Sequence, residues 1–186
     1  MFLGFLALMT SGAASAHTGI NIGGELGAGL IHPFVGLDHL LAMVAVGIWA
    51  VQLGKRYLLI VPAAFVATMA VGAIGGAHGI ALPQVEGMVA LSVLVLGLLV
   101  ALSLQAAWYW AVLLVAVFAL FHGHAHGAEM PDFAAPWQYF LGFTVATASL
   151  HAIGITGGIL LKQHAGIVRA GGAAISLVGA WLLLAA

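Results

Sequence analysis

The sequence contains no cysteine. That excludes disulfides, thiolate metal sites and cysteine nucleophiles together, and leaves nitrogen, oxygen and methionine sulfur as the donors open to a metal. Charge is nearly as scarce. Lys, Arg, Asp and Glu make up 5% of 186 residues, against about 25% in a soluble domain. The net charge of −1 gives no basic stripe to hold phosphates, which argues against nucleic acid as a partner. No G-x-x-x-x-G-K-[ST] loop occurs, so nothing points to direct nucleotide drive, and the metalloprotease pattern HExxH is missing.

What is present is apolar. Hydrophobic residues reach 64%, more than so short a water-soluble chain could bury. The reading is an all-α integral membrane protein of one domain, in contact with the lipid bilayer. "MFLGFLALMTSGAASA" has the apolar core and small-x-small ending of a secretory signal peptide, here without a basic n-region. Residues 1–16 are therefore expected to be the signal peptide and 17–186 a single transmembrane transport domain. "INIGGELGAGLIHPF" is short for a span and stopped by Pro33, which predicts a first helix broken near Pro33. Six spans follow, at about 36–54, 57–79, 84–104, 107–127, 136–160 and 166–185.

Alternation of those spans puts Lys55, Arg56, Lys162 and Arg169 on one side, which the positive-inside rule makes cytoplasmic. Both termini then lie in the periplasm of a bacterial inner membrane. The acids Glu25, Asp38, Glu86, Glu129 and Asp132 fall toward the other side. Trp49, Trp108, Trp110 and Trp137 sit near span ends and read as an aromatic belt. Of 26 glycines, the pairs Gly23/Gly27, Gly72/Gly76 and Gly123/Gly127 have the spacing that lets helix backbones approach closely. Dividing the chain near Gln105 gives 3+3 halves of opposite orientation, each opening on a His-rich helix, which raises an inverted repeat.

Ionisable side chains inside a bilayer are costly and are functional candidates by default. At about 1.5 Å per residue, Asp38, Glu86, His122 and His126 all lie about 25–31 Å from the basic side. Three helices thus bring carboxylates and imidazoles to one outer level. His122, His126 and Glu129 follow i, i+4, i+7 on one helix face, and two histidines at i, i+4 suit a single metal ion. His32 and His39 are seven residues apart, about 10.5 Å in a straight helix, so they need a kink at Pro33 or Gly36 to meet. His124 points away. Met43 reads as core. His151 lies mid-membrane and is read equally as a transit or relay group and as a packed histidine. His17, if it begins the mature chain, adds a chelating terminus. His78 and His164 read as interfacial or loop residues. Imidazole with carboxylate and no thiolate suits Ni(II), Co(II), Zn(II) or Fe(II).

"HPFVGLDHLLAM" at 32–43 and "FHGHAHGAE" at 121–129 resemble the two signatures of the HupE/UreJ family of nickel and cobalt permeases. The resemblance covers essentially the whole mature sequence. It implies a secondary transporter that imports Ni(II) or Co(II) with no permanently bound cofactor. It also implies transport roles for His32, Asp38, His39, Glu86, His126 and Glu129. The competing readings are a membrane-embedded metal-dependent enzyme and a metal-sensing assembly partner. An enzyme would keep its metal through purification, and a sensor would bind without flux.

Overall fold

The structure is a computed structural model that describes residues 24–130 and 135–185. The expected signal peptide and His17 lie outside the described residues. All described regular structure is helical, in the order α1 (Gly24–Val35), α2 (Leu37–Leu53), α3 (Tyr57–Ala77), α4 (Val85–Leu102), α5 (Trp108–Ala128), α6 (Pro136–Leu160) and α7 (Ala165–Ala185). Helices α3 to α7 are each long and apolar enough to cross a membrane, and α1 with α2 forms a sixth crossing bent by 79°. At 1.5 Å per residue, 18 to 25 residues span about 27–37 Å, the thickness of a hydrocarbon core.

The first crossing is broken near Pro33, as expected, and of the two candidate positions the break falls at Gly36. Helix α1 runs through Pro33, and Gly36 (φ −75°, ψ 111°) leaves the helical region to start α2. Gly54 closes α2 with φ 117°, a backbone state that side chains rarely adopt. Pro136 opens α6, where a missing N–H costs nothing.

The helices pair through their glycines. On α3 and α5, a side chain at Gly72 or Gly76 would collide with the carbonyls of Leu120 or His124. One at Gly123 or Gly127 would collide with those of Met69 or Ala73. Gly47 and Gly154 bring α2 against α6 in the same way, Gly29 and Gly142 bring α1 against α6, and Gly97, Gly172 and Gly179 join α4 to α7. Backbones in such contact gain dispersion energy that lipid cannot replace, and this holds membrane helices together without a hydrophobic effect. Gly23 lies outside the described residues.

Trp108, Trp110 and Trp137 are exposed, as a belt requires. Trp49 is not part of it. Its ring is buried and its Nε1–H donates to the Leu104 carbonyl at 2.9 Å, tying α2 to the end of α4. Met43 is core, as expected. The loops carrying Lys55, Arg56 and Lys162 lie at one end of the bundle, and Arg169 donates there to the Ala101 carbonyl at 2.8 Å. Asp38, Glu86 and Glu129 lie at the other end, where Glu25 accepts a bond from the Ala135 amide at 2.9 Å.

Candidate metal site

Four helices end where the acids gather. The C-terminal turn of α1 brings His32, the first turns of α2 and α4 bring Asp38, His39 and Glu86, and the last two turns of α5 bring His122 and His126, with Glu129 as its cap. The bend at Gly36 solves the spacing problem of His32 and His39: their ring centroids lie 6.4 Å apart. His126 fits between them, 4.8 Å from His32 and 4.3 Å from His39, and His122 is 4.7 Å from His39. His32 Nε2 stands 3.4 Å from Glu129 Oε2, joining α1 to α5. The neighbouring imidazole holds the Glu129 carboxyl below the usual carboxylate range.

Hydrogen bonds fix the proton positions on two of the rings. Asp38 Oδ1 accepts both the His39 backbone amide and His39 Nδ1, each at 2.7 Å. A carboxylate only accepts, so His39 Nδ1 is the donor here, and in the neutral ring Nε2 is left bare. Gly36 makes room for this pair, since a Cβ there would stand 3.0 Å from Asp38 Oδ1 and 3.1 Å from His39 Nδ1. On α5, His122 Nε2 lies 2.7 Å from Ser92 Oγ. Ser92 already gives its one proton to the Val89 carbonyl at 2.6 Å. The hydroxyl must therefore accept from His122, which leaves His122 Nδ1 bare.

These nitrogens, and those of His126, have no protein hydrogen-bond partner. His39 Nε2, His122 Nδ1 and both nitrogens of His126 are buried without a hydrogen bond. An unsatisfied buried polar atom costs about 1–3 kcal/mol, so a ligand that met several of these nitrogens at once would relieve that cost. Phe143 stacks on His126 at 4.9 Å and 18° and sets its plane. Among the described residues, no group of three or more His, Asp or Glu side chains is arranged to hold a metal ion; His32 stands edge-on to His126 and His39 edge-on to His122, while His39 and His126 are tilted against each other.

Of the residues expected from the sequence, His32, Asp38, His39, His122, His126 and Glu129 meet here. Glu86 is exposed on the first turn of α4, within electrostatic reach of Glu129, Asp38 and His39. His151 is separate and deeper, buried on α6 against Phe65. His124 turns away and donates Nε2–H to the Ile80 carbonyl at 2.7 Å. Ser92 was not visible as a site residue; the available signal was a lone hydroxyl in the apolar run "MVALSVLVLG".

Residues 5–182 match the family described as HupE / UreJ protein. The chain is 48% identical over 180 residues to Protein HupE of Rhizobium leguminosarum bv. viciae, an alignment covering 96% of this chain and 94% of that one. No solved structure matches.

Proposed function

The chain belongs to the HupE/UreJ family, and from that premise we propose that it is a secondary transporter importing a divalent transition-metal cation. Ni(II) is the leading substrate and Co(II) the second, carried across the bacterial cytoplasmic membrane. The observation that carries this reading is the group of buried, unpartnered imidazole nitrogens at the acidic end of the bundle. Bare nitrogens with nearby carboxylates suit a hydrated, borderline dication. Asp38 and Glu129 lower the cost of bringing it out of water, and His32, His39, His122 and His126 replace water molecules on it. Glu86 adds negative charge at the mouth. His17, at the start of the mature chain, is an accessory ligand in this reading.

Direction follows from charge. All four Lys/Arg residues lie at the end opposite the site, which supports a cytoplasmic basic end and a periplasmic site. A membrane potential of about 100 mV would then favour entry of a dication by about 4.6 kcal/mol. The pairing of helices also supports an inverted repeat. Exchanging the halves converts the α3–α5 pair into the α6–α2 pair and returns α4–α7 to itself.

The test is Ni(II) and Co(II) flux into proteoliposomes under a potential negative inside. Saturable flux that Asp38→Asn or His126→Ala abolishes is the expected result. Folded protein that binds metal tightly and carries no flux would reject transport. A reporter fusion placing the Lys55–Arg56 loop in the periplasm would reverse the orientation.

A further inference from the structure

Below the outer site, α3 and α6 face one another in register. Phe65 and Met69 are one turn apart on α3, and Thr147 and His151 are one turn apart on α6. The Phe65 ring lies 5.1 Å from His151, and one turn outward the Thr147 hydroxyl donates to Met69 Sδ at 3.6 Å. The Phe65 ring also lies 5.7 Å from His122, tilted by 54°. Gly123, next to His122, lets the Met69 backbone press directly on α5. The donors therefore descend in steps from His122 to Met69 and Thr147, then to His151.

His151 is buried, and neither of its ring nitrogens has a hydrogen-bond partner. A histidine kept only for packing would bond a neighbouring helix, because an unmet nitrogen in this setting costs about 1–3 kcal/mol. Two turns further along α6, Gly158 lines a cavity of about 150 Å³ at the basic end, together with Gln52, Ser103 and Lys162.

We propose that His151, with the Met69 thioether and the Thr147 hydroxyl, is a second, inner station for the cation, between the outer site and this cavity. It rests on the transport reading above. Its chemistry suits passage rather than storage. The outer site has carboxylates, whereas the inner donors are one imidazole, one thioether and one hydroxyl, all uncharged. Neutral donors hold a dication weakly, and conduction needs a station that can release its ion onward.

The experiment compares the native protein with His151→Leu, which keeps bulk and removes the donor, and with His151→Met, which restores one. Co(II) binding is read by absorption in detergent and Co(II) flux in proteoliposomes. His151→Leu is expected to keep Co(II) affinity at the outer site within about twofold and to lose flux by about tenfold or more, at least the scale seen when a group that merely orients a metal ligand is lost. His151→Met is expected to recover much of that flux. Three results would each overturn the inner station: flux in His151→Leu within twofold of native, loss of outer-site binding in that variant, or His151→Met as inactive as His151→Leu. Absence of flux in the native protein rejects the transport reading separately. The count of Co(II) ions bound then decides the inner station: one fewer in His151→Leu supports it, and an unchanged count overturns it.

Discussion

Asp38 Oδ1 holds His39 by two hydrogen bonds of 2.7 Å, one from the backbone amide and one from ring Nδ1. Backbone and ring are fixed by a single oxygen, and the free nitrogen is aimed away from it. In metal sites such a carboxylate selects the tautomer and raises the basicity of the ligand nitrogen, and its loss costs about 10- to 100-fold in affinity. Asp38→Asn should therefore weaken Ni(II) or Co(II) binding by about that factor, read by titration of the purified protein. Unchanged affinity would mean that the pair is structural only.

Ser92 should matter although it never touches the cation. Ser92→Ala removes the acceptor of His122 Nε2–H and frees the ring to rotate or change tautomer. Flux should fall several-fold with membrane insertion intact, and Ser92→Thr should restore it. Loss in Ser92→Ala without rescue by Ser92→Thr would indicate a packing fault instead.

His124 and His126 separate site from scaffold. His124→Ala deletes one hydrogen bond to the Ile80 carbonyl, worth about 1 kcal/mol. Thermal stability should drop slightly and uptake stay close to native. His126→Ala removes the ring between His32 and His39 and should abolish uptake. Equal losses in the two variants would place the site on the wrong face of α5.

Gly123→Ala should destabilise the protein, because a Cβ there meets the Met69 carbonyl and pushes α3 from α5. Overpacking of this kind costs about 1–3 kcal/mol. Gly157→Ala on α6 meets nothing within 4 Å and serves as a neutral control. Similar melting temperatures for both would show that the α3–α5 contact is looser than described.

The Glu129 carboxyl is held below its ordinary range by His32, so its ionised form is favoured in the folded state. The stabilisation is complete above the unfolded carboxyl range and is lost as pH falls through the lowered value. Native protein should therefore outlast Glu129→Gln by a constant margin at neutral and mildly acidic pH, and the margin should vanish in strong acid. A margin that grows on acidification would reverse the sign.

The spans were legible in the sequence because hydropathy alone sets them in lipid. Tyr57–Ala77, Val85–Leu102 and Pro136–Leu160 fall within two residues of expectation at each end. The gathering of His and carboxylate at the end opposite the basic loops was legible too, since helix rise converts spacing to depth. The kink between His32 and His39 was legible as Pro33 or Gly36, and the room that Asp38 and His39 need above Gly36 accompanies it there. Two features were not. The inward turn of Trp49 depends on a carbonyl 55 residues away. The role of Ser92 depends on where α5 places His122. Each is settled by a partner from elsewhere in the chain, which local periodicity does not encode.

The glycine seams have a mechanical consequence. Where two helices touch through backbone, as α3 and α5 do along Gly72, Gly76, Gly123 and Gly127, no side chain lies between them to flex or change rotamer. Such a pair behaves as a plank, and α4 with α7 makes another through Gly97, Gly172 and Gly179. Opening a route from one membrane face to the other would then require these planks to slide past α2 and α6. The hinge-like freedom would lie in the elbow at Gly36, where the helix that carries His32 is already cut loose from the one that carries Asp38 and His39.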